Sequence, residues 1–238
     1  ALMWRLRAAH ALGADAHTLA HRYGYRPRAP AAVAVLAKAP VAGLAKTRLA
    51  PLLGAAGAAR AQRGFVLQTL ATARAASTGA LTLWCAPDAA HRVFRALAQR
   101  HGVVAVAQPG GDLGHRMTTA LLQHFAQRRH TPLLIIGTDC PALTPGHLQQ
   151  AADALQGADV VLIPAEDGGY VLVGFRRPVP EVFSQVAWST PQVLAQTRER
   201  LRAAGASWVE LETLWDVDEP ADWLRWRSNP LAGMRCSE

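Results

Sequence analysis

Short apolar runs alternate with longer helical patterns along most of the chain, and this alternation limits the fold more than any other feature. Helices are predicted at 55–77, 88–100, 113–129, 144–155, 190–204 and 220–227. The apolar runs predict the strands Ala32–Ala37, Leu81–Cys85, Val103–Ala107, Leu133–Ile136, Val160–Ile163, Tyr170–Val173 and Trp208–Leu211. This order predicts an α/β fold, a doubly wound, mostly parallel mixed sheet with helices on both faces. Such sheets bind ligands beyond the carboxyl ends of their strands.

The boundaries of this domain follow from where the alternation begins and ends. We predict one domain at residues 30–230, a helical appendage at 1–29 and a tail at 231–238. Two threonine–proline pairs, Thr144-Pro145 and Thr190-Pro191, are each predicted to cap a helix. His10, His17 and His21 could share one face of the N-terminal helix, where we interpret them as surface or inter-subunit histidines.

Composition excludes several classes of protein. No apolar run reaches the roughly 18 residues that a membrane helix needs, and the first 20 residues contain no signal-peptide core, so we expect a cytoplasmic protein. Three widely spaced cysteines form neither a disulfide framework nor a zinc motif. The chain also lacks the motifs of hydrolase triads, zinc proteases and nucleic-acid-binding modules.

The net charge of +8 is unevenly distributed. Residues 1–111 contain fourteen Lys and Arg against two acids, whereas residues 112–238 contain eleven against fifteen. This asymmetry is compatible with phosphate binding on one side and cation binding on the other, or with a solvated arginine-rich surface. The two lysines of the chain, Lys38 and Lys46, lie close together. Lysine places a compact charge where an arginine fork is too broad, as in a crowded phosphate site.

A basic loop follows the first predicted strand. Lys38, Lys46 and Arg48 surround Gly43 between that strand and the next helix, an arrangement that can wrap a polyphosphate. The loop is not a Walker A motif, because Pro40 and other residues replace its glycines, and G-x-G-x-x-G is absent from the chain. The alternative is an exposed basic loop without a ligand.

Two acidic motifs follow later strands. Asp139 ends the clearest strand in a Gly/Pro turn, and because Thr144 is available as the helix cap, Asp139 is a candidate ligand for Mg²⁺ or Mn²⁺. Asp216 and Asp218 precede Pro220 after the last strand. Alternate residues of an extended segment point to opposite faces, so one aspartate could bind metal while the other supports it. Helix-terminal acids are the alternative.

Two glycine-containing turns are weaker candidates for binding. The segment 110–117 contains Asp112, His115 and Arg116 and could contact a base or ribose. The second turn, which contains Gly168, Gly169 and Tyr170, places small residues where a ligand could approach the backbone. Either segment could simply be a turn.

Four motifs taken together resemble a known family. They are K-x-P-x-x-G-x-x-K-T-R-L from Lys38, G-T-D-C-P-x-L from Gly137, D-G-G-Y-x-L-x-G from Asp167 and W-D-V-D-x-P from Trp215. Their order over residues 32–226 is similar to that of the GT-A-fold radical-SAM/selenodomain-associated transferases, of the nucleotide-diphospho-sugar transferase superfamily. Three of the motifs also look like those of phospholactate guanylyltransferase. The appendage at 1–29 has no counterpart in this resemblance.

The resemblance implies roles for the candidate residues. Lys38, Gly43, Lys46 and Arg48 would contact nucleotide phosphates, and Asp112, His115, Arg116, Gly168, Gly169 and Tyr170 would surround the base or acceptor. Asp139, Asp216 and Asp218 would hold Mg²⁺ or Mn²⁺, with Lys46, Arg48 and Asp139 as the catalytic set.

The activity implied is that of a transferase acting on a nucleoside triphosphate or nucleotide sugar and a small acceptor, without nucleic acid or membrane partners. Nucleotidyl transfer to a phosphorylated acceptor is favoured. Glycosyl transfer and non-catalytic nucleotide binding are the alternatives, and a homodimer is left open.

Overall fold

The computed structural model describes residues 30–228, so the predictions for the N-terminal appendage and the tail lie outside the described residues. One seven-stranded sheet has the order β3-β2-β1-β4-β6-β5-β7. Its strands are β1 Ala32–Lys38, β2 Leu81–Ala86, β3 Val104–Ala107, β4 Leu133–Ile136, β5 Val160–Pro164, β6 Tyr170–Phe175 and β7 Trp208–Glu210. Strand β6 runs antiparallel to both β4 and β5, and the other pairs are parallel. The predicted α/β fold with a mostly parallel mixed sheet is confirmed.

Within residues 30–228, six α-helices and two short 3₁₀ turns connect the strands or follow the last of them. The helices are α1 Ala50–Ala76, α2 Arg92–His101, α3 Leu113–Gln127, α4 Pro145–Ala154, α5 Val193–Ala203 and α6 Pro220–Ser228, and the 3₁₀ turns are Thr47–Leu49 and Pro180–Phe183. Helix α1 begins five residues earlier than predicted and is interrupted at Gly54, where φ is +69°. None of these described helices is long and apolar enough to cross a membrane.

Alternation along the strands creates two cores, one on each face of the sheet. Val33, Val35 and Ala37 of β1 face one side, where α1, α2 and α4 pack. Ala32 and Ala34 face the other side, where α3, α5 and the second 3₁₀ turn pack. Successive strand residues point to opposite faces, so a buried parallel strand is apolar at both sets of positions. The helices on both faces therefore match the doubly wound prediction.

A third, smaller cluster attaches the C-terminal helix to α1. Phe65 of α1 packs against the indoles of Trp223 and Trp226, at ring-centroid distances of 6.2 and 5.2 Å, and the two indoles are 4.9 Å apart. Val217, at the centre of the second acidic motif, is fully buried in the same cluster. This packing fixes the acidic motif against the helix that follows the basic loop.

The two threonine–proline pairs have different structures. Thr144 caps α4 as predicted, accepting a hydrogen bond from the backbone N–H of His147 at 3.3 Å. The predicted cap at Thr190 is wrong, because α5 begins only at Val193 and its N-terminus has no side-chain cap. The Thr190 hydroxyl instead donates to the carbonyl of Ala187 at 2.7 Å.

The segment before α5 is non-helical because it packs on another turn. Ser189 has φ +63°, in the left-handed region, and the Pro191 backbone lies against Gly168. A methyl group added to Gly168 would overlap the Pro191 carbonyl oxygen. The segment 188–191 therefore folds against the β5–β6 turn instead of starting a helix.

An ion-pair cluster fixes the start of β5. The Asp159 carboxylate, with 11% of the side chain exposed, accepts hydrogen bonds from Arg176 at 2.6 Å and from Arg177 at 3.1 Å on each of its two oxygens. These hydrogen bonds hold the pKa of Asp159 well below its usual range. The cluster joins β5 to the end of β6.

Candidate active site

The basic loop places its charged residues at the carboxyl edge of the sheet. Lys38 is the last residue of β1, and the loop then turns through Gly43, where φ is +80°. Lys46 follows in a left-handed conformation, with φ 46° and ψ 48°, and starts the first 3₁₀ turn. A left-handed conformation costs a non-glycine residue about 1 kcal/mol or more. The fully buried Leu49 anchors the end of this loop in the third cluster.

Lys46 lies between two of the predicted metal ligands. Its Nζ is 2.6 Å from Asp218 Oδ1 and 3.3 Å from Asp139 Oδ2. The Lys46 side chain is 9% exposed, whereas the two aspartates are about 40% exposed. Burial disfavours the charged form, but the two carboxylates outweigh burial and hold the pKa of Lys46 above its ordinary value. Arg48 Nη1 lies 3.7 Å from the second oxygen of Asp218 and is largely exposed.

Asp139 is positioned by its own turn and by the second acidic motif, which contains Asp216 and Asp218. A Cβ on Gly137 would lie 2.8 Å from Asp139 Oδ1, so the glycine leaves room for the carboxylate. The Asp139 carbonyl accepts a hydrogen bond of 2.8 Å from the backbone N–H of Val217. The two acidic motifs, 77 residues apart in the numbering of Asp139 and Asp216, are therefore joined through the backbone.

Asp216 and Asp218 both line the same cavity, although they alternate along the chain. Burial, and then repulsion from Asp139, Asp167 and Asp218, raises the pKa of Asp216 to about 7. A cation between these oxygens would relieve that repulsion. The chain turns here because Asp222 accepts hydrogen bonds from the backbone N–H groups of Asp218 and Glu219, at 3.1 and 2.8 Å.

A buried glutamine joins the basic loop to the first acidic motif. The side-chain amide of Gln62, which is 3% exposed, donates to the Lys38 carbonyl at 3.1 Å and to the Thr138 hydroxyl at 3.3 Å. Sequence analysis missed this residue. The available signal was one amide among alanine, phenylalanine and valine on the buried face of α1, but its partners are 24 and 76 residues away.

These elements surround a cavity of about 640 Å³. We call its charged end the mouth, formed by Lys38, Lys46, Arg48, Asp139, Asp167, Asp216 and Asp218. Gly169 and Tyr170 also line the cavity, as does Trp188, which sequence analysis missed. The structure thus brings the basic loop, both acidic motifs and part of the second glycine turn to one place.

Other predicted site residues are not among those that line the cavity. Asp112 caps α3, accepting a 2.8 Å hydrogen bond from the backbone N–H of His115. Arg116 lies one turn further along α3, and Gly43 shapes the basic loop. Gly168, with φ +88°, packs against Pro191, so its conformation and close approach explain the glycine without a ligand. Ligand contacts by these four residues, and by His115, which is not among the lining residues either, stay predictions.

The comparisons with known proteins identify the family. The model of the family described as "Uncharacterized protein conserved in bacteria (DUF2064)" matches residues 69–190, about half of the chain. The chain belongs to this family. A solved structure described as a "putative nucleotide-diphospho-sugar transferase", from Desulfovibrio desulfuricans G20, is 31% identical with a TM-score of 0.78, over 87% of this chain and 91% of the other. The predicted family and fold are therefore confirmed.

Two further matches cover less of the chain or share less of its sequence. A 2-phospho-L-lactate guanylyltransferase from Methanocorpusculum labreanum is 31% identical over 123 residues, 52% of this chain. The chain spans about half the length of that curated relative, 53%. A manganese complex of Rv0371c from Mycobacterium tuberculosis H37Rv is 18% identical with a TM-score of 0.51, over 82% of this chain and 97% of the other, which shows a shared fold alone.

The carboxylates of the mouth fit a divalent metal by their chemistry. Mg²⁺ prefers hard oxygen ligands, usually one or two carboxylates completed by phosphate oxygens and water. Asp139 and Asp218 already share a cation, the Lys46 ammonium, and Asp216 lies within the same repulsive field. Within residues 30–228, no group of three or more His, Cys, Asp or Glu side chains is prearranged as a metal cage. A metal held by these carboxylates would therefore complete its coordination with water or with phosphate oxygens of a bound substrate.

Proposed function

We propose that the protein is a metal-dependent nucleotidyltransferase, which transfers a nucleotidyl group from a nucleoside triphosphate to a small phosphorylated acceptor. The observation that carries this proposal is the mouth itself. Three cations from one loop and four carboxylates from three segments line the same cavity at the carboxyl edge of the sheet. A triphosphate bound with a divalent cation needs cationic side chains for its phosphates and carboxylates for the metal.

In this proposal the basic loop binds the triphosphate. Lys46 and Arg48 already contact Asp218, so their charged groups lie within a few ångströms of the proposed metal ligands. When phosphate oxygens enter, these two side chains can exchange a carboxylate for a phosphate without a large movement of the loop. Gln62 holds the Lys38 backbone against Thr138 and so keeps the two halves of the mouth aligned.

Asp139, Asp216 and Asp218 would hold the metal, with Mg²⁺ or Mn²⁺ as the expected ion. When bound, such an ion neutralises phosphate charge and orients the phosphates. The raised pKa of Asp216 reflects burial first, and then the repulsion between carboxylates that such a charge would relieve. The manganese complex of a protein with the same fold supports this choice of ion.

The reaction requires positioning more than acid–base chemistry. An oxygen of the acceptor's phosphate attacks the α-phosphorus, forming one P–O bond while the bond from the α-phosphorus to the bridging oxygen breaks. Pyrophosphate leaves with the electron pair of that bond, and no proton has to move when the acceptor phosphate is fully ionised. Lys46 and Arg48 offset the charge that develops on the leaving group.

The names of the relatives divide between this reaction and the alternative. The guanylyltransferase relative is a nucleotidyltransferase by name, whereas the Desulfovibrio structure is named for nucleotide-diphospho-sugar substrates. Glycosyl transfer is therefore the second candidate. The two reactions differ in their released product, which is pyrophosphate for nucleotidyl transfer and a nucleoside diphosphate for glycosyl transfer.

A binding and product assay tests the proposal. The four common nucleoside triphosphates and a panel of nucleotide sugars are screened by thermal shift with and without Mg²⁺, since a ligand that binds only the folded state raises Tm. The best ligand is then incubated with phosphorylated acceptors, and the released product is identified. We expect a triphosphate-specific, Mg²⁺-dependent shift and pyrophosphate.

Matched variants make the assay specific to the mouth. Arg48→Ala removes a cation that lines the cavity, and Arg60→Ala removes an exposed arginine of α1 that is not among the lining residues. Only Arg48→Ala should reduce the triphosphate shift. Release of a nucleoside diphosphate from a nucleotide sugar would favour glycosyl transfer, and the absence of both products with every nucleotide would refute both reactions.

A further inference from the structure

The same cavity continues below the mouth as an apolar slot, which we define by Leu36, Leu113, Met117, Ile135, Val173 and Trp188. Leu36 precedes Lys38 by two residues on β1, and Val173 follows Tyr170 by three on the antiparallel β6. Because a strand rises about 3.3 Å per residue, Leu36 lies roughly 7 Å below Lys38 of the mouth, and Val173 lies roughly 10 Å along β6 from Tyr170. The slot is therefore long enough for a small ring or a short branched chain.

The walls of the slot are fixed by close packing. The Trp188 indole lies so near to α3 that a Cβ on Gly114 would meet its Nε1 at 2.5 Å. The Trp188 ring also packs edge-on against Tyr170 and is tilted against Phe183, at centroid distances of 6.5 and 6.2 Å. Leu113, next to Gly114 in the first turn of α3, also lines the cavity and is 44% exposed. An apolar group entering the slot would meet preformed aromatic and aliphatic surfaces.

Charge is divided sharply within the cavity. All seven charged residues that line it belong to the mouth, and the six residues that define the slot are apolar. An anionic or polyhydroxylated group among these six side chains would lose its hydration without finding charged or hydroxyl partners there, which is costly. The uncharged polar residues that line the cavity are not part of the slot as defined; they are Thr47, Gln62, Thr138, Ser189 and Thr190. A substrate that reaches from the mouth into the slot must therefore be charged at one end and apolar at the other.

We propose that the slot binds the body of the acceptor and selects acceptors whose phosphate is attached to a compact, uncharged apolar group. This assignment rests on the proposed function, because it takes the triphosphate to occupy the mouth. The acceptor's phosphate must also lie at the mouth to attack the α-phosphorus. Its remainder then has the slot as the adjoining space, between β4, β6 and the segment 188–191.

Two phosphate monoesters with different bodies test the proposal. Phenyl phosphate carries a planar apolar ring, and glycerol 3-phosphate carries a polar body on the same phosphate. Their affinities are measured by calorimetry with Mg²⁺ and a saturating non-hydrolysable nucleoside triphosphate analogue. We expect phenyl phosphate to bind about tenfold more tightly, the scale at which an apolar pocket discriminates between small groups. Equal affinities, preference for glycerol 3-phosphate, or no binding of either ester would overturn the proposal.

Paired substitutions on α3, together with one at Trp188, test whether the slot causes the preference for phenyl phosphate. Leu113→Ser removes a slot residue, whereas Leu122→Ser changes a leucine of the same helix that is similarly exposed, at 47%, and is not among the lining residues. Leu113→Ser and Trp188→Ala should each reduce the ratio of the two affinities to about threefold or less, and Leu122→Ser should leave it unchanged. An unchanged ratio in folded Leu113→Ser protein would contradict the assignment.

Binding of the triphosphate analogue distinguishes a failure of the slot assignment from a failure of the proposed function. If the triphosphate analogue displaces phenyl phosphate, and Trp188→Ala weakens the analogue itself, the slot holds the nucleobase and the acceptor assignment is wrong. If no triphosphate binds with or without Mg²⁺, the nucleotidyltransferase proposal fails whichever ester is preferred. A triphosphate that binds through Lys46, together with no preference for phenyl phosphate, would overturn the slot assignment alone.

Discussion

Lys46 occupies the space between two proposed metal ligands, so removing its charge should strengthen binding of a divalent cation in the absence of nucleotide. Lys46→Met keeps a long apolar stem and deletes the ammonium. A metal that uses both Asp139 and Asp218 must displace this ammonium or bind beside it. Either outcome weakens metal binding in the native protein.

The size of the effect follows from the two contacts. Coulomb's law at the dielectric constant of water gives about 1.6 kcal/mol for the 2.6 Å pair with Asp218 and about 1.3 kcal/mol for the 3.3 Å pair with Asp139. Burial of Lys46 offsets part of this sum, and the half-exposed carboxylates keep the screening strong. A net effect of about 1–2 kcal/mol corresponds to a five- to thirtyfold change in affinity.

Titration with Mn²⁺, followed by calorimetry or by the electron paramagnetic resonance signal of the free ion, measures this change. Lys38→Met is the matched control, because Lys38 lines the same cavity but forms no ion pair with Asp139 or Asp218 among the described contacts. The Lys46 variant should bind Mn²⁺ five- to thirtyfold more tightly than the native protein, and the Lys38 variant should change much less. Unchanged or weaker Mn²⁺ binding in the Lys46 variant would refute the shared-site reasoning.

Three further predictions concern the supports of the site and the sheet. Gln62→Leu leaves the Lys38 carbonyl and the buried Thr138 hydroxyl without this donor, so urea unfolding should show a loss of about 2 kcal/mol, and weaker triphosphate binding should accompany it. Gly168→Ala should lower the free energy of unfolding by about 3 kcal/mol, through backbone strain and overlap with Pro191. Gly43 has a similar φ but open space around it, so Gly43→Ala should lower it by about 1 kcal/mol. Equal losses would contradict the packing role of Gly168. The pKa of Asp159 is lower in the folded protein than the value near 3.9 that it has in the unfolded chain. The ionised carboxylate therefore stabilises the fold at pH values above the unfolded-state pKa, and this stabilisation is lost as the pH falls below it. Asp159→Asn should therefore lose about 2 kcal/mol at pH 7 but much less at pH 3, and a difference independent of pH would contradict this.

Local signals predicted much of the fold. Strand β4 has the predicted bounds, Leu133–Ile136, because four large aliphatic residues stand between Pro132 and Gly137. The Thr144 cap formed because its signal, an N-cap threonine followed by proline, is complete within one turn. The same dipeptide at Thr190 failed because a tertiary contact, Pro191 on Gly168, competed with the local preference.

The site was predictable only where the residues carried their own chemical signal. Charged residues next to strand ends, such as Lys46 and Asp139, could be placed at one edge of the sheet from the strand order alone. Gln62 and Trp188 could not, because they depend on which helix face and which loop pack over the cavity. The position of Lys46 between the carboxylates likewise depends on the left-handed backbone at that residue.

The most direct test of the account is the linkage between triphosphate and metal at the mouth. Triphosphate affinity is measured with and without Mg²⁺ in the native protein, in Lys46→Ala and in Asp139→Asn. The account predicts tighter binding with Mg²⁺ in the native protein, loss of that dependence in Asp139→Asn, and weak binding under both conditions in Lys46→Ala. Triphosphate binding that is indifferent to Mg²⁺ and to both substitutions would contradict the central claim.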